Sequence, residues 1–76
     1  MSEAAYLQVA RDLREQIRDG RLKPGDKLPS FNALCAHYEA SNTVIRAAML
    51  VLKAEGLIDG RQGKGVYVTD RASKSN

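Results

Sequence analysis

The stretch from Ser41 to Val68 constrains the fold of this chain most, because it joins two different periodicities. Its first half carries apolar residues at helical spacing. Its second half is a short apolar run, a glycine-rich basic turn and an alternating Val-Tyr-Val. This order predicts a helix followed directly by a β-hairpin, with the sequence Arg-Gln-Gly-Lys-Gly over residues 61–65 at the hairpin tip.

The length of the chain limits what can be built around this stretch. Seventy-six residues form one domain at most, with little room for a deep substrate cavity. No apolar run approaches the ~18–20 residues of a membrane span. The N-terminus, MSEAAYLQVARD, lacks the basic start and apolar run of a signal peptide. We therefore expect a cytoplasmic setting.

The preceding part of the chain begins with an amphipathic pattern that predicts a helix from about Ala4 to Asp19. Gly20 follows at the position of a left-handed helix cap. Pro24-Gly25 then predicts a turn, and Lys27-Leu28 a short edge strand. The predicted apolar face of the first helix consists of Tyr6, Val9, Ala10, Leu13 and Ile17.

Two further helices are predicted in close succession. Ser30 is an N-cap residue for a short helix over residues 31–38, and Ser41 is an N-cap residue for a helix over residues 41–55. The core stripe of the later helix consists of Ile45, Ala48, Met49 and Leu52. So short a connection between two helices is typical of a helix-turn-helix.

The order of helix, short strand, helix-turn-helix and hairpin describes a winged helix-turn-helix, an α+β fold that is mainly helical. We assign residues 1–70 to this domain. Residues 71–76 are interpreted as a polar tail or the start of a linker.

The net charge of +3 is unevenly distributed. Residues 1–40 carry six basic and six acidic residues, whereas residues 41–76 carry six basic and three acidic ones. The whole excess therefore lies in the half that contains the predicted helix and hairpin. A local basic excess is the electrostatic pattern of a nucleic-acid-binding surface.

The predicted third helix has a polar face at its N-terminal end. An α-helix fits the major groove of B-DNA, where its first residues meet base edges. Asn42 suits adenine, Arg46 suits guanine or a phosphate, and Thr43 or Val44 can contact a thymine methyl group. The free N–H groups at the helix starts near Ser30 and Ser41 are expected to bind phosphate.

The hairpin tip is expected to contact the minor groove and the DNA backbone, because its glycines allow a close approach. The predicted contact residues of the tip are Arg61, Gln62, Gly63, Lys64 and Gly65. Asn32, early in the second helix, completes the predicted DNA-binding set.

Catalysis and metal binding are not expected. The single cysteine, Cys35, excludes an internal disulfide, and with one histidine, His37, a zinc site would need acidic ligands from elsewhere. Two residues two positions apart on a helix do not face each other, which disfavours a catalytic pair. We expect Cys35 to pack as a small apolar residue, His37 to lie on the surface, and no cofactor to be required.

Several blocks of the sequence resemble GntR-family bacterial transcription regulators. Tyr-Leu-Gln-Val-Ala at residues 6–10 and Pro-Gly-Asp-Lys-Leu-Pro-Ser at 24–30 resemble the opening of that family's DNA-binding domain. Ala-Glu-Gly-Leu at 54–57 and Gln-Gly-Lys-Gly at 62–65 resemble its later blocks. The resemblance covers roughly residues 5 to 68. It implies a sequence-specific regulator, in our interpretation a repressor, that binds a double-stranded operator.

The departures from the family pattern lie in the DNA-reading part. Phe31-Asn32 stands where the family usually has Glu-Arg, and Asn42 where it usually has an arginine. Glu39 replaces a usual glycine of the turn. We therefore expect a different operator with fewer arginine contacts.

The resemblance also bears on assembly. Family members usually continue into a C-terminal domain that binds a metabolite and dimerises. The chain is either a fragment or a protein that works with the DNA-binding part alone, and we favour a fragment. We expect it to be monomeric alone and to bind a two-fold operator only weakly, with a dimer that forms either on DNA or through an absent effector domain. The main alternative is a winged helix used for protein–protein contact, and an RNA-binding role is a more distant one, since the chain lacks an aromatic stacking platform.

Overall fold

The computed structural model describes residues 4–61 and 63–69. Three helices are followed by two antiparallel strands. Their bounds are α1 (Ala5–Arg18), α2 (Phe31–Tyr38), α3 (Asn42–Ala54), β1 (Ile58–Arg61) and β2 (Gly65–Val68). The predicted order is confirmed, and the bounds of α2 are those predicted. The bounds of α1 and α3 lie within one residue of the prediction.

The helix ends follow from their capping residues. The Ser30 Oγ accepts a hydrogen bond from the Ala33 N–H at 3.1 Å, and the Ser41 Oγ accepts one from the Val44 N–H at 3.3 Å. Both serines are therefore N-caps, as predicted. Gly20, after α1, has a φ of 88°, which a glycine adopts without the steric cost of a Cβ.

A single core holds the elements together. The predicted stripe of α3 is fully inside it, and Val9, Ala10, Leu13 and Ile17 of α1 pack against that stripe. Leu34 of α2, Leu28, Ile58 and Val68 complete the core. Tyr6 was expected on this face but is 36% exposed, so the prediction for that residue is wrong. The apolar face of α1 that reaches the core begins one turn later, at Val9.

The hairpin, called the wing below (residues 58–68), has one buried and one outer face. The register pairs Ile58 with Val68 and Gly60 with Val66 on the core side. Asp59 pairs with Tyr67, and Arg61 with Gly65, on the outer side. The alternating Val-Tyr-Val of the sequence is explained by this register, because successive strand residues face opposite sides.

The loop between α1 and α2 pairs with β2 of the wing through one isolated β-bridge. The Leu28 N–H donates to the Val66 carbonyl at 2.8 Å, and Lys27 pairs with Tyr67 across the gap. The Val68 N–H donates to the Asp26 carbonyl at 2.9 Å. The predicted edge strand at Lys27-Leu28 is thus present as one bridge, and it ties the wing to the helical part.

Two side-chain contacts brace α1 against the other helices. The Tyr38 hydroxyl donates to Asp12 Oδ2 at 2.5 Å, and partial burial together with this carboxylate raises the pKa of Tyr38 above its ordinary value. Arg14 donates to both carboxylate oxygens of Glu55, at 2.8 and 2.7 Å. The second pair is partly exposed, so its contribution to stability is at most about 1 kcal/mol.

None of the helices in the described ranges has the length and apolar character needed to cross a bilayer.

Candidate nucleic-acid interface

The turn between α2 and α3 sets the direction of α3. Glu39 ends α2 with φ 53° and ψ 48°, the left-handed conformation that glycine adopts most easily. Its N–H donates to the Cys35 carbonyl, and the Ala40 N–H donates to the same carbonyl at 3.0 Å. The chain therefore turns between the two helices within three residues, and the first residues of α3, Asn42 and Thr43, are exposed.

The outer face of α3 is polar at its start and mixed further along. Asn42, Thr43 and Arg46 are exposed, whereas Val44 is half-buried and packs against the core. Leu50, one turn beyond Arg46, is 68% exposed, and Lys53 follows it on the same side. Sequence reasoning had not assigned Leu50 or Lys53 to this face. Their helical spacing from Arg46 was the signal that could have found them.

Asn42 is held by a contact that the sequence did not predict. The Cys35 thiol donates to Asn42 Oδ1, with 3.2 Å between sulfur and oxygen. This bond turns the amide oxygen toward α2 and leaves the amide NH₂ group free to donate. A carbonyl oxygen has two lone pairs, so Oδ1 can still accept a second bond. Cys35 also packs against the core as a small, half-buried residue, as expected, and His37 is exposed.

The wing presents its basic residues at and beside its tip. Arg61 ends β1, and its guanidinium lies 5.0 Å from the centroid of the Tyr67 ring, a cation–π distance. Gly63 and Lys64 are exposed in the turn, and Gly65 begins β2. The predicted contact at Gln62 lies outside the described residues.

The second helix contributes its first turn. Ser30 lines the groove beside the wing, while its Oγ is occupied in capping α2. Asn32 is exposed on the first turn of α2, but it does not line that groove. Ser41, at the start of α3, is likewise exposed and is a cap.

Five basic residues line two adjoining open grooves of the structure. The first lies between the α1–α2 loop and the wing, and the second lies between α3 and the wing. Phe31, Gly60 and Val66 line both, so the grooves are continuous. The cations that line them are Lys27, Arg61 and Lys64 in the first and Arg46 and Lys53 in the second.

No carboxylate lines either groove in the part of the chain that the structure describes. Within residues 4–61 and 63–69, none of the five groove cations forms an ion pair. Asp59, two residues before Arg61 on β1, lines an adjoining groove that Arg61, Tyr67 and Thr69 also line, and the structure shows no ion pair between Asp59 and Arg61. Unneutralised cations around an open surface attract a polyanion, and they contribute to binding by releasing its counterions.

Two ion pairs of the described residues lie away from these grooves. Arg14 pairs with Glu55, and Arg21 pairs with Asp19 at 2.8 Å at the end of α1. The hydrogen bonds from Arg21 lower the pKa of Asp19, and the pKa of Arg21 rises in turn. Among the described residues, no group of three or more His, Cys, Asp and Glu side chains is arranged to hold a metal ion.

Comparison with known proteins identifies this arrangement. The model of the family described as "Bacterial regulatory proteins, gntR family" matches residues 5–68. The chain is 44% identical over 54 residues to the HTH-type transcriptional regulator LutR of Bacillus subtilis, and this match covers 71% of the chain and 25% of LutR. It is 40% identical over 63 residues to the Exu regulon transcriptional regulator of Escherichia coli, covering 83% of the chain and 24% of that protein.

Solved structures agree with these matches. A putative GntR-family transcriptional regulator superposes with a TM-score of 0.85 and 48% identity, over 91% of this chain and 27% of that one. The DNA-binding domain of AraR in complex with its operator ORX1 superposes with a TM-score of 0.87 and 31% identity, over 90% of this chain and 82% of that one.

The chain spans about a quarter of the length of the curated relatives it matches. Its three helices and two-stranded sheet are the winged helix-turn-helix of these regulators' DNA-binding domains. On the family match and the fold together, the chain belongs to the GntR family of bacterial regulatory proteins.

Proposed function

We propose that this chain is a sequence-specific DNA-binding domain of a bacterial transcription regulator, with α3 in the major groove and the wing at the minor groove and backbone. The observation that carries the proposal is the pair of continuous grooves around α3 and the wing, which are lined by five unpaired cations and by no carboxylate among the described residues. The AraR domain, which has the same fold, is solved on operator DNA.

The two parts of the surface have different tasks in this proposal. The N-terminal turn of α3 presents Asn42, Thr43 and Arg46, whose donor and acceptor groups suit base edges. The wing presents Arg61 and Lys64 on a narrow turn, where they suit phosphate oxygens and the minor groove. Base contacts supply specificity, whereas phosphate contacts supply position and salt-dependent affinity.

A repressor role and a two-fold operator extend the proposal. The mannosyl-D-glycerate system repressor MngR of Escherichia coli is 40% identical over 65 residues, which supports repression. Helix-turn-helix proteins bind two-fold sites as dimers with half-sites one helical turn or a small multiple apart. We further propose that residues 1–70 form the domain and that it works in the cytoplasm as a binding module, with no catalytic step. Residues 70–76 lie outside the described residues.

The test is a selection of bound duplexes from a random pool, followed by salt titrations of three variants. Arg46→Ala should weaken binding to the selected duplex by about 1–3 kcal/mol and relax the preference at one or two base pairs. Arg61→Ala and Lys64→Ala should weaken binding to all sequences more evenly, and each should lower the salt slope by about one.

The same measurements separate DNA binding from the alternative of a protein-contact module. A module that binds only proteins would select no consensus, and its weak binding to arbitrary duplexes would show little dependence on salt. If Arg46→Ala keeps the wild-type affinity and consensus at fixed salt, then Arg46 does not contact a base.

A further inference from the structure

Lys27 reaches the wing although it lies in the loop before α2. The loop runs along β2, where Lys27 pairs with Tyr67 and the Leu28 N–H donates to the Val66 carbonyl at 2.8 Å. Leu28 is only 2% exposed and faces the core. Because neighbouring residues of an extended segment face opposite sides, Lys27 lies on the outer side of the wing.

Gly65 provides the space that the Lys27 side chain occupies. A Cβ atom at Gly65 would lie 2.7 Å from Lys27 Cε and 3.6 Å from Lys27 Nζ. The aliphatic stem of Lys27 therefore crosses the first residue of β2, and its ammonium group lies beside the wing tip. Gly65 also has a φ of 119°, a backbone conformation that residues with a side chain rarely adopt. Both this conformation and the close approach of Lys27 therefore favour glycine at this position.

This arrangement places three cations around one groove. Lys27, Arg61 and Lys64 all line the groove between the α1–α2 loop and the wing. None of the three forms an ion pair within the described ranges, and that groove has no acidic lining residue there. Like charges that share one open surface repel each other, and an anion bound among them removes that repulsion.

We propose that Lys27 joins Arg61 and Lys64 in a single site for a phosphodiester group of duplex DNA, so that the wing contacts the backbone with three cations. This inference rests on the proposed function, since it names the chemical group that the wing binds. The ammonium and guanidinium groups are donors only, and the non-bridging oxygens of a phosphodiester are acceptors. Each phosphate that is neutralised contributes about 0.9 to the salt slope of binding to B-DNA.

The main test compares Lys27→Met with Lys23→Met on a random-sequence duplex. Lys23 is exposed in the same loop, lines neither groove and forms no ion pair within the described residues, so both variants lose one charge. Lys27→Met should lower the salt slope by about 0.9, which makes its affinity deficit shrink about threefold between roughly 50 and 200 mM salt. Lys23→Met should keep the wild-type slope.

A second set of variants tests the geometry. Lys27→Arg keeps the charge and should keep the slope. Gly65→Ala moves the lysine stem and also strains the wing backbone at this φ, so it should weaken binding, and Lys27→Met should lower the slope less in the Gly65→Ala background than in the wild type. Thermal melting of each variant without DNA shows that the fold is intact, and Lys27→Gln repeats the main comparison with a different neutral side chain.

The outcomes distinguish the two proposals. If the wild-type chain shows no salt-dependent binding to duplex DNA, the proposed function itself is wrong. If it binds and Lys27→Met has the slope of the wild type, or the slopes of both Met variants fall equally, Lys27 has no specific phosphate contact. Inorganic phosphate should compete no better than chloride at equal ionic strength, and a stronger effect of phosphate would assign the site to a free anion instead.

Discussion

Asn42 is the residue at which this chain departs most directly from the usual pattern of its family. Its amide oxygen accepts from the Cys35 thiol, so the orientation of the side chain is set before any ligand arrives. Ordering a side chain on binding costs about 0.5–1.5 kcal/mol, and an already oriented amide avoids part of that cost. Asparagine is also shorter than arginine, so α3 must lie close to the bases for this contact to form.

Replacing Asn42 by Arg should therefore change the base preference rather than abolish binding. Asparagine suits adenine through N6 and N7, whereas arginine suits guanine through O6 and N7, and each bidentate pair is worth about 1–3 kcal/mol. We expect an A·T pair at the step that faces Asn42 and a shift toward G·C in Asn42→Arg. A parallel selection on both proteins measures this, with Asn42→Ala as a control that should lose the preference without gaining G·C. The same consensus from all three would place Asn42 against phosphate or solvent.

At the scale of the elements, the turn between α2 and α3 carries a local strain. Glu39 has a φ of 53°, where a side chain with a Cβ costs about 1–2 kcal/mol relative to the right-handed conformation. The family usually places glycine at this point, so this chain keeps the shape of the turn without the residue that adopts it most easily. The surrounding caps and the burial of α2 and α3 hold the conformation.

Glu39→Gly should consequently be more stable than Glu39→Ala. The two variants both remove the carboxylate, and they differ only in the Cβ that causes the strain. We expect a difference of about 1 kcal/mol in the free energy of unfolding in favour of glycine, since its relief of strain exceeds its greater freedom in the unfolded chain. Urea titrations of both variants measure this difference, and equal midpoints with equal slopes would mean that the turn is unstrained.

The packing of α1 against α2 depends on a second element-scale contact, from the Tyr38 hydroxyl to Asp12. Tyr38→Phe removes this hydrogen bond and leaves the ring, so it should lower the free energy of unfolding by about 1 kcal/mol near neutral pH. The pKa of Tyr38 is raised in the folded chain, so its contribution is complete below about pH 10, its unfolded value, and falls as the pH rises from there.

The stability gap between wild type and Tyr38→Phe should accordingly narrow in alkaline solution. Unfolding curves at about pH 7 and at pH values above 10 measure the free energy of unfolding of both proteins. The lysines titrate in both proteins alike, so their effect cancels in the difference between the two free energies. A gap that is constant or widens above pH 10 would show that the phenol is not held as a donor to Asp12.

At the scale of the whole molecule, nearly all large apolar side chains of the described residues pack in or against one core. Among the described residues, only Tyr6 and Leu50 are large, apolar and exposed, and they lie on α1 and α3. A stable homodimer needs a mainly apolar interface. The surface area that it buries exceeds the value of about 1,000 Å² that any specific protein–protein contact reaches. Two separate side chains do not provide such a surface.

We therefore expect the 76-residue chain to be a monomer of 8.3 kDa in solution and to pair only on DNA. Sedimentation equilibrium over a wide concentration range measures the mass without DNA, and titration with one and two half-sites measures the stoichiometry. Leu50→Lys is a useful control, since it removes the more exposed of the two apolar side chains and should leave the protein a monomer. A mass twice as large at every concentration would contradict the prediction.

The helices and the wing were predictable because their causes are local. Serine caps, helical spacing of apolar residues and strand alternation each act within a few residues, and they gave the bounds of α2 and the buried stripe of α3 correctly. The polar start of α3 was predictable for the same reason, since the core stripe determines which face remains outside.

Tertiary packing decided the rest, because it brings together residues that no local pattern relates. Lys27 lies at the wing tip only because its loop pairs with β2 and Gly65 leaves room for its stem. Asn42 is oriented only because α2 places Cys35 beside it. Tyr6 shares the periodicity of the α1 face and is still exposed, since the core that covers this face extends no further than Val9. Periodicity thus determines which face of an element is apolar, whereas the extent of the packed partners determines how much of that face is buried.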